Sequence, residues 1–329
     1  MPKKLALTLA CGDYEIVRPL LSEKVEVDGV DLTILTDMDS ATRHWRFLNN
    51  GEFDVAELSG SSYLAARDND LPVRAIPVFL HRRFRHGFMF INTSKGISKP
   101  ADLKGRKVGV KTMMTTAVLW MRGILQSEYG VPLNSIEWVA ELEDDVKVNL
   151  PQDIKYSCLP NDKSVESMLA EGELDAVFHS DLIKPFVARD PRVARLFPDH
   201  KAEEMAYFKR TGIFPIMHVL SIRKSLIDEH PWLAVNLFRA FNESKAIAMR
   251  RMTNPRIVPL VWYRDAWEEQ EHIFGSDPWE YGLSDKNRRV LETLIGYSHE
   301  QGLIKKRTTP EQLFLSVDTG RKRGGEFRI

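Results

Sequence analysis

Short apolar runs, each closed by small polar residues and followed by a helical pattern, recur along this chain, and that rhythm restricts the fold more than any other feature. LALTLA at residues 5–10 ends in CGDYE, and VDGVDLTIL at 27–35 follows, with Asp28-Gly29 as a turn signal. Ser40 is placed to cap a helix through Leu48, Asn49 to Gly51 end it, and Phe53 to Leu58 reads as a third strand. Ser59-Gly60-Ser61-Ser62 then breaks that strand and opens a helix from Tyr63 to Arg67. Alternation of this kind calls for a mainly parallel sheet with helices on its faces.

After about residue 97 the pattern restarts. A strand at Lys107 to Val110, a helix through about Glu128, a strand in SIEWVAEL, a helix from Ser164 to Glu171 and a strand in LDAVFHSD (174–181) make a second unit of similar construction. RTGIFPIMHVLSIRKSL (210–226) is a further extended segment, with His218 in its middle. Helical patterns then run from Pro231 to Arg251, from about Trp262 to Phe274 and from Ser284 to Gln301, and Thr309-Pro310-Glu311-Gln312 has the spacing of a capping box. Trp262, Trp267 and Trp279 in this helical third suit either an edge cover for the first unit or a dimer contact, so a homo-oligomer is one expectation. The Gly- and Arg-rich end, DTGRKRGGEFRI, is expected to be loosely held or used at a contact.

A chain of 329 residues fits about two domains. Its 46 basic and 46 acidic side chains balance, which argues against a nucleic acid or a membrane surface as the main partner and leaves room for a local basic pocket. Cys11 and Cys158 form neither a CxxC pair nor a zinc-type spacing with histidine, so no disulfide framework and no metal site is expected from sequence spacing. Two lysines precede LALTLAC as in a lipoprotein leader, but the apolar core falls short of the roughly 7–15 residues such a leader needs, and Asp13 and Glu15 follow at once. The run reads instead as the first strand. With no apolar run of about 18 residues, no membrane span is expected, and the cytoplasm is the expected compartment.

AIPVFLHRRFRHGFMFIN, residues 75–92, departs from the rhythm, because His81, Arg82, Arg83, Arg85 and His86 interrupt an apolar segment. If extended, it points His81, Arg83 and Arg85 one way and Arg82, Phe84 and His86 the other. Buried charge is costly unless paired, so these groups need partners. Ligand carboxylates are one possibility and a structural ion-pair network is another.

In open α/β sheets, ligands bind beyond the carboxyl ends of the strands. That rule selects Cys11 to Glu15, Glu57 to Ser62, Lys111 to Thr116 and His179 to Asp181. Hydroxyls and free backbone N–H groups at Ser59, Ser61, Ser62 and Thr112 suit a carboxylate, although each also suits a helix cap. His218 between Met217 and Val219 fits a core histidine as well as a catalyst, and Asp181 beside His179 could equally cap a helix. No nucleophile elbow, P-loop or dinucleotide fingerprint is present.

Taken together, GVDLTIL, WRFLNNGEFDVAELSGSSYLAARD, FLHRRFRHGFMFIN, PADLKGRKVGV and GIFPIMHVLSIRKSL resemble the 4,5-dihydroxyphthalate decarboxylases, members of the type II periplasmic-binding-protein superfamily, over nearly the whole chain. PADLKGRKVGV is shared across type II binding proteins generally and speaks for the fold; EFDVAELS and RRFRHG are more specific to the family. The resemblance implies an α/β fold of two lobes, each a mainly parallel sheet flanked by helices, joined by two crossing hinge strands. Residues 1–95 with 215–329 would form the first lobe and 96–214 the second. It further implies cofactor-free, non-oxidative decarboxylation of a hydroxylated aromatic acid, most simply 4,5-dihydroxyphthalate to protocatechuate and CO2. Such a reaction needs a cationic cradle for carboxylate, a partner for the phenol and a general acid near the ipso carbon. The residues assigned by this reading are Arg82, Arg83, Arg85, Ser59, Ser61, Ser62, Thr112 and Asp181 for binding, and His86, His179, His218 and Glu57 for acid–base work. A binding protein of the same fold, needing the cradle but not the acid and base, is the main rival, and a biosynthetic enzyme of the same superfamily is another.

Overall fold

A computed structural model describes residues 3–144, 146, 150–160 and 163–317, so the expectation for DTGRKRGGEFRI lies outside the described residues. Among the described residues eleven strands form two sheets. The first holds β1 (Leu5–Ala10), β2 (Val30–Leu35), β3 (Val55–Ser59), β4 (Val73–Ile76) and β11 (His218–Arg223) in the order β2-β1-β3-β11-β4. LALTLA is thus an interior strand, paired in parallel with β2 from Leu5 opposite Val30 to Ala10 opposite Leu35. The second sheet holds β5 (Met89–Asn92), β6 (Lys107–Val110), β7 (Glu137–Ala140), β8 (Lys155–Cys158), β9 (Ala176–Phe178) and β10 (Val193–Arg195), ordered β10-β5-β9-β6-β7-β8. The two-lobed α/β architecture expected from the sequence is the one observed.

In each sheet one strand runs against its neighbours, β11 in the first and β5 in the second. Both are the first strand formed after the chain arrives from the other sheet. A chain that leaves one sheet at the carboxyl ends of its strands enters the next from that same side, and must therefore run antiparallel. The two crossings lie together as a ribbon: Arg82 bridges Ile216, Arg83 N–H donates to Pro215 O at 3.1 Å, and Met217 N–H donates to His81 O at 2.9 Å. AIPVFLHRRFRHGFMFIN is accordingly not one strand. Its β4 part ends at Ile76, and a 3-10 turn at His86–Phe88 precedes β5. Gly87 permits that turn, because a Cβ there would stand 2.6 Å from the His200 ring while Gly87 N–H donates to Glu204 Oε1 at 3.1 Å.

The Thr116–Tyr129 helix belongs to both cores. Leu119, Trp120 and Ile124 pack with the first sheet's core, while Ala117, Val118, Met121 and Leu125 pack with the second's. Trp120 Nε1–H donates to Ile216 O at 3.0 Å, Gln301 Nε2–H donates to Leu119 O at 3.1 Å, and Ser127 Oγ and Tyr297 Oη are 2.7 Å apart. The Asp285–Glu300 helix, which carries Tyr297, therefore fastens the second lobe's first helix to the first lobe. Local starts follow side-chain chemistry: the helix at Ser40–Trp45 is capped one residue earlier than expected, by Asp39 accepting from Thr42 N–H at 3.0 Å. The capping box at Thr309 and Gln312 forms with both of its bonds. Among the described residues no helix is long and apolar enough to cross a membrane.

Gly123, inside the helix shared by both cores, lies directly under the Tyr297 ring, and a Cβ would enter that ring. Gly→Ala in a helix interior normally stabilises by about 1 kcal/mol. At this position Gly123→Ala should instead destabilise by about 1–3 kcal/mol through overpacking, read from urea unfolding midpoints. An unchanged or raised midpoint would show that the two helices do not pack this closely.

Candidate active site

Strand parity sets the site. Glu57 and Ser59 share one face of β3, and in the antiparallel pairing with β11 they stand opposite Leu220 and His218, so Glu57 and His218 are diagonal neighbours on the same face. Glu57 is fully buried. Its Oε2 accepts from Gly12 N–H at 2.8 Å and from Arg43 Nη2–H at 2.9 Å; its Oε1 accepts from Tyr14 Oη–H at 2.7 Å and lies 2.6 Å from His218 Nδ1. Gly12 and Tyr14 come from the loop that leaves β1, the strand parallel to β3. Gly12 also makes room for Tyr14 to fold back, since a Cβ there would stand 2.7 Å from the Tyr14 ring.

Burial works against the Glu57 carboxylate, but His218, Arg43 and Tyr14 outweigh it and hold the group ionised, well below the usual carboxylate range. Burial and then the Glu57 charge push the Tyr14 phenol upward, so it stays a donor. Two further histidines enclose His218 edge-on: His81 at 4.8 Å between ring centroids and His44 at 5.2 Å. Tyr14 stacks against His81 with ring centroids 6.3 Å apart. His81 Nδ1 and His44 Nε2 are buried without a hydrogen-bond partner among the described residues. Arg43 and His44 are the residues that sequence reasoning missed, whereas Tyr14 falls in the Cys11–Glu15 strand end and His81 in the cationic stretch, neither with an assigned role.

Arg83 and Arg85 extend the site toward the second lobe. Arg83 is half-exposed and pairs at 3.6 Å with the exposed Asp181. Arg85 is buried, donates from Nη1 to Ser180 O at 2.7 Å and places Nε 3.1 Å from Met217 Sδ. Burial and then the neighbouring Arg83 charge lower its pKa to about 9, which leaves it a cation at neutral pH. Both guanidinium groups lie over the Phe88 ring. His179, partly exposed, uses Nδ1 to accept from Asp181 N–H at 3.1 Å within its own loop.

The remaining candidates are engaged elsewhere. Arg82 donates to Glu280 O at 2.8 Å and Asn287 Oδ1 at 2.6 Å, deep in the first lobe. His86 is buried among Tyr129, Phe197 and Tyr207 in the second lobe, and among the described residues its ring contacts are with these and not with the Glu57 cluster. The hydroxyls of Ser59 and Ser61 meet Thr116 Oγ1 at 2.6 and 2.9 Å, and Ser61 also donates to Met114 O, so these groups tie the lobes together. Ser62 is buried. Thr112 Oγ1 lies 2.7 Å from Thr115 Oγ1 and accepts from Thr115 N–H at 3.2 Å. Among the described residues no group of three or more His, Cys, Asp or Glu side chains is arranged to hold a metal ion.

Two buried histidines, His44 and His86, and the partly buried His81 link folding to pH. Burial, then the charges of His218 and Arg85, pushes His81 down to about 2. Burial, then Arg210 and His200, pushes His86 down to about 4, and burial, His218 and Arg43 hold His44 well below its ordinary range. An unfolded chain takes up these protons near pH 6.5 and the folded one does not, so stability is full above that pH and falls as pH drops below it. The slope approaches about 1.4 kcal/mol per pH unit for each histidine. Urea unfolding at pH 7.5 and 5.5 should show the loss, and His86→Phe should reduce it. Equal stability at both pH values would contradict the neutral burial of these rings.

Comparison with known proteins agrees with this architecture. The family described as ABC transporter, phosphonate, periplasmic substrate-binding protein matches residues 13–215. The periplasmic aliphatic sulphonate binding protein SsuA from Escherichia coli is 13% identical with a TM-score of 0.56, covering 100% of this chain and 97% of that one, a likeness of fold. A 4,5-dihydroxyphthalate decarboxylase from Comamonas testosteroni is 34% identical over 320 residues, 94% of this chain and 96% of the relative. A second protein of that name, from Pseudomonas putida, is 34% identical over 214 residues, 63% of this chain and 82% of the relative. With identity at that level along almost its entire length, and with the two-lobed fold expected of such proteins, the chain belongs to the 4,5-dihydroxyphthalate decarboxylase family.

Proposed function

We propose that the protein is a carboxy-lyase that removes CO2 from a hydroxylated aromatic dicarboxylic acid, with 4,5-dihydroxyphthalate as the substrate and protocatechuate as the product. The observation that carries this reading is the buried Glu57 carboxylate 2.6 Å from His218 Nδ1 at the carboxyl end of β3, with Arg83 and Arg85 on the adjoining hinge. A protein that only binds an anion needs the arginines. It does not need a buried ionised carboxylate fixed on a histidine ring.

In this reading Glu57 fixes the His218 tautomer and counters the charge that the ring carries when protonated. Nδ1 is committed to Glu57, so Nε2 is the nitrogen that exchanges a proton. Arg83, whose present partner is an exposed carboxylate, takes a substrate carboxylate in its place, because a half-exposed ion pair is weak. His81, neutral and with Nδ1 unpartnered, is the hydrogen-bond partner for a ring hydroxyl. Electron density from the hydroxyl para to the departing carboxylate flows into the ring as His218 delivers a proton to the ipso carbon. The bond to the carboxylate then breaks, its electron pair restores the aromatic ring, and CO2 leaves. Proton uptake and CO2 loss balance, and no external oxidant or reductant enters. His86, walled in by aromatic rings, acts as a packing residue, and Ser59, Ser61 and Thr116 fix the distance between lobes. The expected compartment is the cytoplasm and the expected ligand a small aromatic carboxylate.

Incubation of the purified protein with 4,5-dihydroxyphthalate should release CO2. His218→Ala and Glu57→Gln should each lower kcat by about 10²- to 10⁴-fold, the usual worth of a positioned acid–base group. Arg83→Ala should chiefly raise KM, by about tenfold. His86→Phe should leave kcat near the wild-type value. Tight binding without CO2 release across a panel of hydroxylated phthalates would instead favour a binding protein of the same fold.

A further inference from the structure

Tyr14 also lines a cavity of about 340 Å³ whose wall includes neither Glu57 nor His218 and which the decarboxylation reading does not use. Tyr14, Leu80, Met249, Met252, Tyr263, Trp267 and Trp279 supply its apolar wall, and Glu15 and Gln270 supply the polar side chains besides the Tyr14 hydroxyl. The volume lies in the range of small-molecule sites, and aromatic walls with a few polar groups are the usual lining of such sites. Trp267 and Tyr263 come from the Tyr263–Phe274 helix, which buries no residue of its own.

The lining selects the ligand's chemistry. Among the described residues no Arg, Lys or His side chain lines the cavity, and its one ionisable carboxylate, Glu15, is already paired with Arg251 and Arg18. An aromatic carboxylate entering there would meet no cation in the wall, and the two guanidinium groups nearby are already engaged by Glu15, so the cavity offers neither the proposed substrate nor its product a charge partner. A neutral ring would stack on Trp267, Trp279 or Tyr263, and a hydroxyl on it could donate to the Glu15 carboxylate or the Gln270 amide oxygen. We propose that this cavity is a second ligand site, distinct from the Glu57 cluster, which takes an uncharged phenolic or catecholic ring. Because Tyr14 is a wall of the cavity and a hydrogen-bond donor to Glu57, an occupant bears on the acid–base cluster through that one side chain. The class is that of an aromatic acid stripped of every carboxylate, so the site would sense material beyond the proposed product.

The test is calorimetric titration of the full chain with catechol and, separately, with benzoate, for the wild type and for Ala266→Trp. Ala266 faces the cavity from an exposed helix, so the larger ring fills the space without entering a core. Catechol should bind the wild type, should bind equally well when the cleft is saturated with an aromatic dicarboxylate, and should lose about tenfold or more in affinity in Ala266→Trp. Benzoate should be unaffected by that substitution. Equal catechol affinity in both proteins, displacement of catechol by the dicarboxylate, or no catechol binding would each overturn the proposal. Because the readout is binding and not turnover, a failure of the decarboxylase reading leaves this result intact, and the reverse also holds.

Discussion

The organisation of the first lobe follows from one buried charge. A carboxylate taken fully out of water has to be compensated on every side, and Glu57 is compensated by four groups from three separate parts of the chain: the Gly12 amide and Tyr14 hydroxyl after β1, the Arg43 guanidinium, and the His218 ring on β11. Remove any of them and a buried ion loses a partner, which in proteins generally costs several kcal/mol. The strand order β2-β1-β3-β11 brings these groups together, since β1 and β11 flank β3 on its two sides. His218 reaches Glu57 only because β11 runs antiparallel, and β11 runs antiparallel because the chain returns from the second lobe through the hinge. The geometry of the Glu57 cluster and the lobe connectivity are thus one constraint.

Around the charge, the hinge sorts its own cations by side. His81, Arg83 and Arg85 turn toward the Glu57–His218 cluster and the 180–181 loop, whereas Arg82 turns to Asn287 and Phe84 packs with Phe208, Phe214 and Phe274. The helix shared between the two cores, together with the Ser59, Ser61 and Thr116 hydroxyls, sets the spacing across which these groups face each other. The arrangement suits an enzyme, whose acid and anion cradle must hold a fixed separation from a reacting carbon.

Much of the fold is legible because strands ending in polar loops have a strong local signature: the runs at 5–10 and 107–110 are strands over those residues, and the run at 53–58 overlaps the strand at Val55–Ser59. The hinge is less so. The sequence leaves open whether 75–92 is extended throughout, and the turn at 86–88 is accompanied by tertiary contacts that no local pattern encodes, the approach of His200 to Gly87 and the bond from Gly87 to Glu204. Glu57 and His218 could be singled out as polar residues within apolar strands. Arg43 could have been found as well: it sits four residues before the buried Phe47, on the inward face of its helix, while Trp45 between them is exposed. A guanidinium on an apolar stripe calls for a buried partner, and that partner is Glu57. What no local pattern encodes is the use of Ser59 and Ser61, since hydroxyls at a strand end serve an anion or a neighbouring helix equally well, and only the approach of Thr116 and Met114 decides.

The central claim is that His218, held by Glu57, carries the proton to the carbon that loses CO2. Turnover of 4,5-dihydroxyphthalate in D2O, followed by NMR of the product, addresses it most directly. The account predicts a single deuterium at the ring carbon vacated by CO2 and a slower reaction in D2O than in H2O. A product without deuterium at that carbon, or a rate indifferent to D2O together with an unimpaired His218→Ala enzyme, would contradict it.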